Sequence, residues 1–142
     1  MKLRLLAISL SLVVGSAANA DVGVIGCYTV QASVTAKGVA TRIDERSFRL
    51  TSNRENSPWS SNGYQVVPAV ASDSFSYRSA YWLEDKAKVT VIFTDNGLSG
   101  LRLDLHRSPE GLEGTMEKYW DFQDPTDERK VSLSRKPCES FH

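Results

Sequence analysis

From Val24 onward the chain alternates apolar and polar residues with a period of two, and no long stretch carries a convincing 3.6-residue apolar stripe. Alternation of this kind sets one face of an extended segment against a core and leaves the other in water, so it commits the chain to half-buried β-strands. Tyr28-Thr29-Val30-Gln31-Ala32-Ser33-Val34-Thr35 is the clearest early case. Lys37-Gly38 turns the chain, and Val39 to Ile43 with Ser47 to Thr51 predict a weaker strand pair about Asp44-Glu45-Arg46. Ser52 to Gly63, dense in Asn and Ser, reads as the longest loop, with Trp59 inside it. Phe75, Tyr77, Tyr81 and Leu83 then fall on one strand face, with Trp82 on the opposite one. After the Asp85-Lys86 turn, Val89, Val91 and Phe93 alternate with Thr90, Ile92 and Thr94. Asp95-Asn96-Gly97 is the strongest hairpin signal, because Asn and Gly accept the positive φ of tight turns. Leu101, Leu103 and Leu105 alternate with Arg102, Asp104 and His106, and Ser108-Pro109-Glu110-Gly111 turns again. Leu112, Gly114, Met116, Trp120 and Phe122 line one side of the next strand, which Asp124-Pro125-Thr126-Asp127 breaks, and Val131 with Leu133 marks a last short strand. The segments number roughly seven to nine at about ten-residue spacing, which predicts an all-β antiparallel meander of about eight strands closing into a small barrel.

The first twenty residues stand apart. Lys2 and Arg4 form a basic start, Leu5 to Val14 is mostly apolar, and Ala18-Asn19-Ala20 offers small residues at the cleavage positions, the layout of an export signal. One domain is then expected from Asp21 to the end. The apolar run is about ten residues, too short for the roughly 30 Å hydrocarbon core of a bilayer, and no later segment is apolar for about 18 residues, so no transmembrane segment is expected. The chain carries 17 Lys plus Arg against 17 Asp plus Glu; removing residues 1–20 takes away Lys2 and Arg4 and leaves 15 against 17 over 122 residues, a formal charge of −2. Coating nucleic acid or an anionic membrane needs a surplus of Lys and Arg, and this balance argues against both.

Two Cys in an exported domain permit one intramolecular disulfide, Cys27 to Cys138. Cys27 opens the first strand and Cys138 follows the last, so the bond would tie the ends of the meander where a barrel closes. Val24-Ile25-Gly26-Cys27 also fits the pattern at which bacterial lipoproteins are cut and acylated, which makes a lipid anchor through Cys27 the alternative. Against it, Asp21 and Gly23 separate the apolar run from that Cys, and acylation would orphan Cys138. Residence in the periplasm or outside the cell follows from the signal.

Groups for catalysis are sparse. His106 and His142 are the only imidazoles, and no Ser sits in a Gly-x-Ser-x-Gly elbow. Arg102, Asp104 and His106 share a strand face, which is either a recognition row or the wet face opposite three leucines; the leucines favour the second. Glu113 and Glu117, with Asp121, offer paired carboxylates for acid/base work on a sugar, although alternate strand residues commonly carry charge because that face is wet. Zinc wants three or four converging ligands, and the Cys are best spent on each other. No catalytic residue, metal or cofactor is expected. The aromatics say more. Tyr28, Phe75, Tyr77, Tyr81, Trp120 and Phe122 fall on apolar faces, where they pack a core or, in a wide barrel, line a pocket. Trp59 and Trp82, off those faces, are of the kind that anchors a protein interface. The expected binding residues are Trp59, Trp82, Tyr77, Tyr81 and Trp120 at the barrel mouth, for a small apolar ligand or a protein partner.

Gly26-Cys27-Tyr28 stands where the calycin group often has Gly-x-Trp, and with an exported meander and aromatic strand faces the chain resembles the lipocalin-like barrels. That resemblance implies a carrier of a small apolar ligand. Ser74-Phe75-Ser76-Tyr77, Trp82, Asp85-Lys86-Ala87 and Val89-Thr90 also look like the core of the bacterial lysozyme inhibitors of the membrane-bound and periplasmic C-type class, small exported barrels stapled by a disulfide. The Gly after that family's Ser is missing, and Asp85-Lys86 replaces a Lys-Gly step. The function expected is thus a non-catalytic exported binding protein; the alternative, which the second likeness implies, is a periplasmic inhibitor or immunity protein against a cell-wall-degrading enzyme such as lysozyme.

Overall fold

A computed structural model describes residues 23–32, 47–59, 62–70 and 73–140. The export signal, the end of the first alternating segment beyond Ala32, the Lys37-Gly38 turn, the predicted strand over Val39 to Ile43 and His142 lie outside them. The described chain runs β1 (Gly26–Ala32), β2 (Ser47–Arg54), β3 (Tyr64–Pro68), β4 (Ser79–Asp85), β5 (Lys88–Thr94), β6 (Ser99–Ser108), β7 (Gly111–Trp120) and β8 (Gln123–Lys136), with a 3-10 turn at Cys138–Ser140. Each strand pairs antiparallel with the next, and β8 returns to β1 over six register pairs from Cys27↔Lys136 to Ala32↔Val131, which closes the barrel. The disulfide Cys27–Cys138 spans the closure with Cα atoms 5.2 Å apart. We call this the disulfide end; the β5–β6 and β7–β8 turns mark the opposite end.

The alternation in sequence becomes inside and outside. Val89, Val91 and Phe93 on β5, Leu103 and Leu105 on β6, Leu112 on β7 and Leu133 on β8 are all fully buried in one core. Aromatic rings fill the axis: Tyr28 lies 6.4 Å from Phe48, Phe48 lies 5.8 Å from Phe93, and Phe93 meets Phe75 at 5.1 Å and Tyr77 at 6.1 Å. Val24 joins the core at the disulfide end, and Phe75 with Tyr77 packs onto it at the other. Outside, Asp104 accepts from Thr90 at 3.2 Å and pairs with Lys88 at 3.0 Å and Arg102 at 3.3 Å, while Arg102 also binds Glu117. This charged wall is the reverse of the apolar outer band of a membrane barrel. Among the described residues no helix is long and apolar enough to cross a membrane.

The structure corrects several local expectations. Phe75 and Tyr77 precede β4, and within β4 it is Ala80 and Trp82 that face the core, while Tyr81, in register with outward Ile92, faces out. The expectation that Tyr81 and Leu83 point inward and Trp82 outward is therefore inverted: parity was carried through a loop that resets it. Trp120 and Phe122 are not core residues but 50% and 76% exposed. Two register shifts against β8 lie between Met116 and Trp120, and such bulges re-aim the side chains beyond them. Asp124 to Asp127 does not break a strand, since β8 runs through it from Gln123. Pro125 falls in the shifted stretch, where a missing N–H costs no regular ladder bond. Finally, Tyr64–Pro68, whose five residues show no regular apolar alternation, is a strand.

Candidate functional site

The five expected binding residues separate in the structure. Trp82 is 4% exposed, donates its indole N–H to the Thr51 carbonyl at 2.9 Å and stacks 5.1 Å from Tyr64, so it is a packing residue. Tyr77 rests on Phe93 at the end of the axis. Tyr81 is buried although it faces outward; burial pushes its hydroxyl pKa up, and nearby Tyr119 pushes the same way. Trp59 and Trp120 come to the same end.

Four large apolar side chains, Trp59, Leu98, Trp120 and Phe122, are exposed there; among the described residues the only other such residue is Ile25 at the disulfide end. Leu98 sits on the β5–β6 turn, and Trp120 and Phe122 bracket the β7–β8 turn. The Asp121 N–H donates to the Leu98 carbonyl at 2.9 Å and holds the two turns side by side. Trp59 arrives from farther off. The β2–β3 connection leaves β2 at the disulfide end, yet the Trp59 ring lies so close over Gly97 that a Cβ there would stand 2.7 Å from its Cε3, so residues 55–59 carry the ring across to the β5–β6 turn. Gly97 also has a φ of 78°, the left-handed region that glycine enters without a Cβ clash. The β5–β6 turn is stiff. The Thr94 hydroxyl donates to the Ser99 carbonyl at 2.6 Å and accepts from the Asn96 and Gly97 N–H groups at 3.3 and 2.8 Å. The Asn96 side-chain oxygen takes the N–H groups of Leu98 and Ser99 at 2.9 and 3.0 Å. The sequence reading passes over Leu98 and places Phe122 on an apolar strand face instead of on an exposed tip; the available signal is an apolar residue placed inside a two-strand turn, next to Gly97 and next to Asp121.

Among the described residues, two surface depressions lie toward the disulfide end. One, of about 450 Å³, lies beside the short β3–β4 seam, which has two register pairs, and includes Ile25, Leu83 and the Arg54 guanidinium 4.4 Å over the Tyr64 ring. The other, of about 260 Å³, is lined by Tyr28, Arg107 and Arg135. Arg135 crosses the barrel closure: it donates to the Gly23 carbonyl at 3.2 Å and to that of Ile25, and its guanidinium lies 5.9 Å from the Tyr28 ring. The Tyr28 hydroxyl donates to the Val24 carbonyl at 2.7 Å, and burial raises its pKa against the smaller opposing pull of Arg135 and Arg107.

The groups considered for catalysis are spent on one another across strands. His106 Nε2 lies 3.1 Å from Glu113, and Glu117 is held by Arg102. Glu113 and Glu117 thus engage different partners along the β6–β7 ladder. Among the described residues no three His, Cys, Asp or Glu side chains converge as a metal site. Comparison with protein families, with curated proteins and with solved structures finds no match to the chain.

Proposed function

We propose that this is a non-catalytic exported binding protein that recognises a protein partner through its surface, at the tip formed by the β5–β6 and β7–β8 turns. The observation that carries this reading is the gathering of Trp59, Leu98, Trp120 and Phe122, exposed, at one end of a barrel whose other apolar side chains are largely inside. Contiguous exposed apolar surface on a small protein marks interaction sites, and Trp is prominent among interface hot spots. A carrier needs an apolar cavity, and rings from Tyr28 to Tyr77 occupy the axis where the lipocalin-like reading would place a ligand. The export signal supports residence in the periplasm or outside the cell, and the disulfide engages the sulfur that a lipid anchor would acylate. The test is a photo-crosslinking amino acid at position 120, with the same residue at His106 on the charged wall as control, in cells exporting the protein. Protein adducts from 120 and none from 106 are expected; adducts from neither position, or from both alike, refute the tip.

Asp95, Asp121 and Asp124 on the tip favour one specific version, an inhibitor of a basic cell-wall-degrading enzyme such as lysozyme. Failure of the pure protein to slow a C-type lysozyme at stoichiometric excess rejects that version and leaves the binding reading standing.

A further inference from the structure

Resting on that surface reading, we infer that the tip fits a basic protein face: an apolar pocket ringed by Lys and Arg. Charge on the barrel wall is balanced locally. Glu84 pairs with Arg107 at 3.2 Å, Asp104 with Lys88 at 3.0 Å, Glu117 with Arg102 and Glu113 with His106. The tip is different. Residues 95–98 and 121–125 contain three carboxylates and no Lys or Arg. Asp121 lies between Trp120 and Phe122, and neither its carboxylate nor that of Asp124 makes a hydrogen bond or ion pair among the described residues. Asp95 is partly used, accepting the Arg78 backbone N–H at 2.8 Å. Among the described residues Arg78 and Lys118 bring cations to the same end, Arg78 beside Asp95 through its backbone N–H and Lys118 two residues before Trp120.

Exposed aromatics flanked by uncompensated carboxylates select among occupants. An anionic lipid surface or an acidic protein would meet like charge, and a second copy docking tip to tip would oppose its own Asp121 and Asp124. A basic face gains on both counts, because its apolar pocket takes Trp120 and Phe122 while its cations meet the carboxylates at the rim. The Thr94 and Asn96 hydrogen bonds hold Leu98 in place before contact, which lowers the ordering cost of association.

The test uses the full disulfide-bonded chain against four kinds of probe: three basic proteins (a C-type lysozyme, cytochrome c and pancreatic ribonuclease), serum albumin as an acidic one, phosphatidylcholine vesicles, and the chain itself. Binding is followed by calorimetry and sedimentation. At least one basic protein should bind one to one, with affinity falling at least about tenfold between about 20 and about 300 mM salt, as a contact across exposed charges must. W120S/F122S and D121N/D124N, both at exposed positions, should each weaken it by about tenfold with near-ultraviolet circular dichroism retained. Absence of binding to every basic protein at low salt, or equal binding to albumin, overturns the inference. So does basic-protein binding that only one of the two double variants weakens. Vesicle binding or self-association lost in W120S/F122S overturns it too, but keeps the tip as the surface, with lipid or a second copy as occupant. Binding in any arm that neither variant changes removes the tip itself and with it the proposed function.

Discussion

Gly97 is where local backbone geometry and the tip meet. Its φ of 78° and the Trp59 ring packed on its open side are two separate demands for the absence of a Cβ. Gly97→Ala should therefore cost about 1–2 kcal/mol for the left-handed backbone alone, and it should push Trp59 off the turn into water. Urea unfolding reads the first effect and a red-shifted Trp emission the second; an unshifted spectrum with unchanged stability would mean that Trp59 does not rest there. Tyr28 makes a different local demand. Burial raises its pKa above the unfolded value of about 10, so the folded state holds that proton more tightly than the unfolded one. The resulting stabilisation is fully present below about pH 10 and is lost as pH rises from there through the folded pKa. Tyr81, raised for the same reason with Tyr119 adding to it, acts in the same window. Spectrophotometric titration should show Tyr28 and Tyr81 ionising late and together with alkaline unfolding, and Tyr28→Phe should soften that unfolding while costing about 1 kcal/mol at neutral pH through the lost bond to Val24.

Strands and turns differ in how much of them the sequence displays. β5, β6 and the first part of β7 were legible because continuous alternation fixes their inward face, and Leu101, Leu103 and Leu105 leave no second choice. β4 was not, because Phe75 and Tyr77 share the parity of Tyr81 yet belong to a loop whose aromatic side chains reach the same core by another path. At the end of β7 the pattern held in letters and failed in space, since the shifts between Met116 and Trp120 depend on β8 and not on β7 itself. The candidate site was half visible for the same reason: Trp59 was readable as a loop aromatic, but nothing local says that its ring crosses to Gly97, or that Asp121, next to Phe122, binds the Leu98 carbonyl. The β5–β6 turn was the most legible connection, from Asp95-Asn96-Gly97, and Thr94 is its keystone. Thr94→Val keeps the shape but leaves two N–H groups and one carbonyl without their partner, which should cost about 1–3 kcal/mol. Hydrogen exchange at Asn96 and Gly97 should accelerate well before the β5 ladder opens; retained protection at those two amides would show that the turn stands without the hydroxyl.

The closed barrel as a unit depends on its longest-range contact. Seven of the eight strand pairings join neighbours in sequence, but β1 and β8 meet across almost the full described chain, so their closure carries the largest loss of chain entropy for its contacts. Three devices hold it: six register pairs, the Arg135 bridge to the Gly23 and Ile25 carbonyls, and the Cys27–Cys138 bond over a separation of 111 residues. The first two act in the folded state, whereas the disulfide acts mainly by removing open conformations from the unfolded chain. On the chain-entropy account a loop of roughly 100 residues is worth about 4.7 kcal/mol, comparable with the total stability of a marginal domain at about 5–15 kcal/mol. Replacing both Cys by Ser should thus lower the unfolding free energy by an amount approaching that value. The loss should not be uniform: with the seam no longer tied, amides of β1 and β8 should exchange first while the β5–β6–β7 ladder stays protected. Hydrogen exchange and urea unfolding on oxidised protein and on C27S/C138S separate the outcomes. A uniform loss of protection would make closure and core one cooperative unit, and an unchanged midpoint would show that register pairs and Arg135 alone suffice to hold the seam.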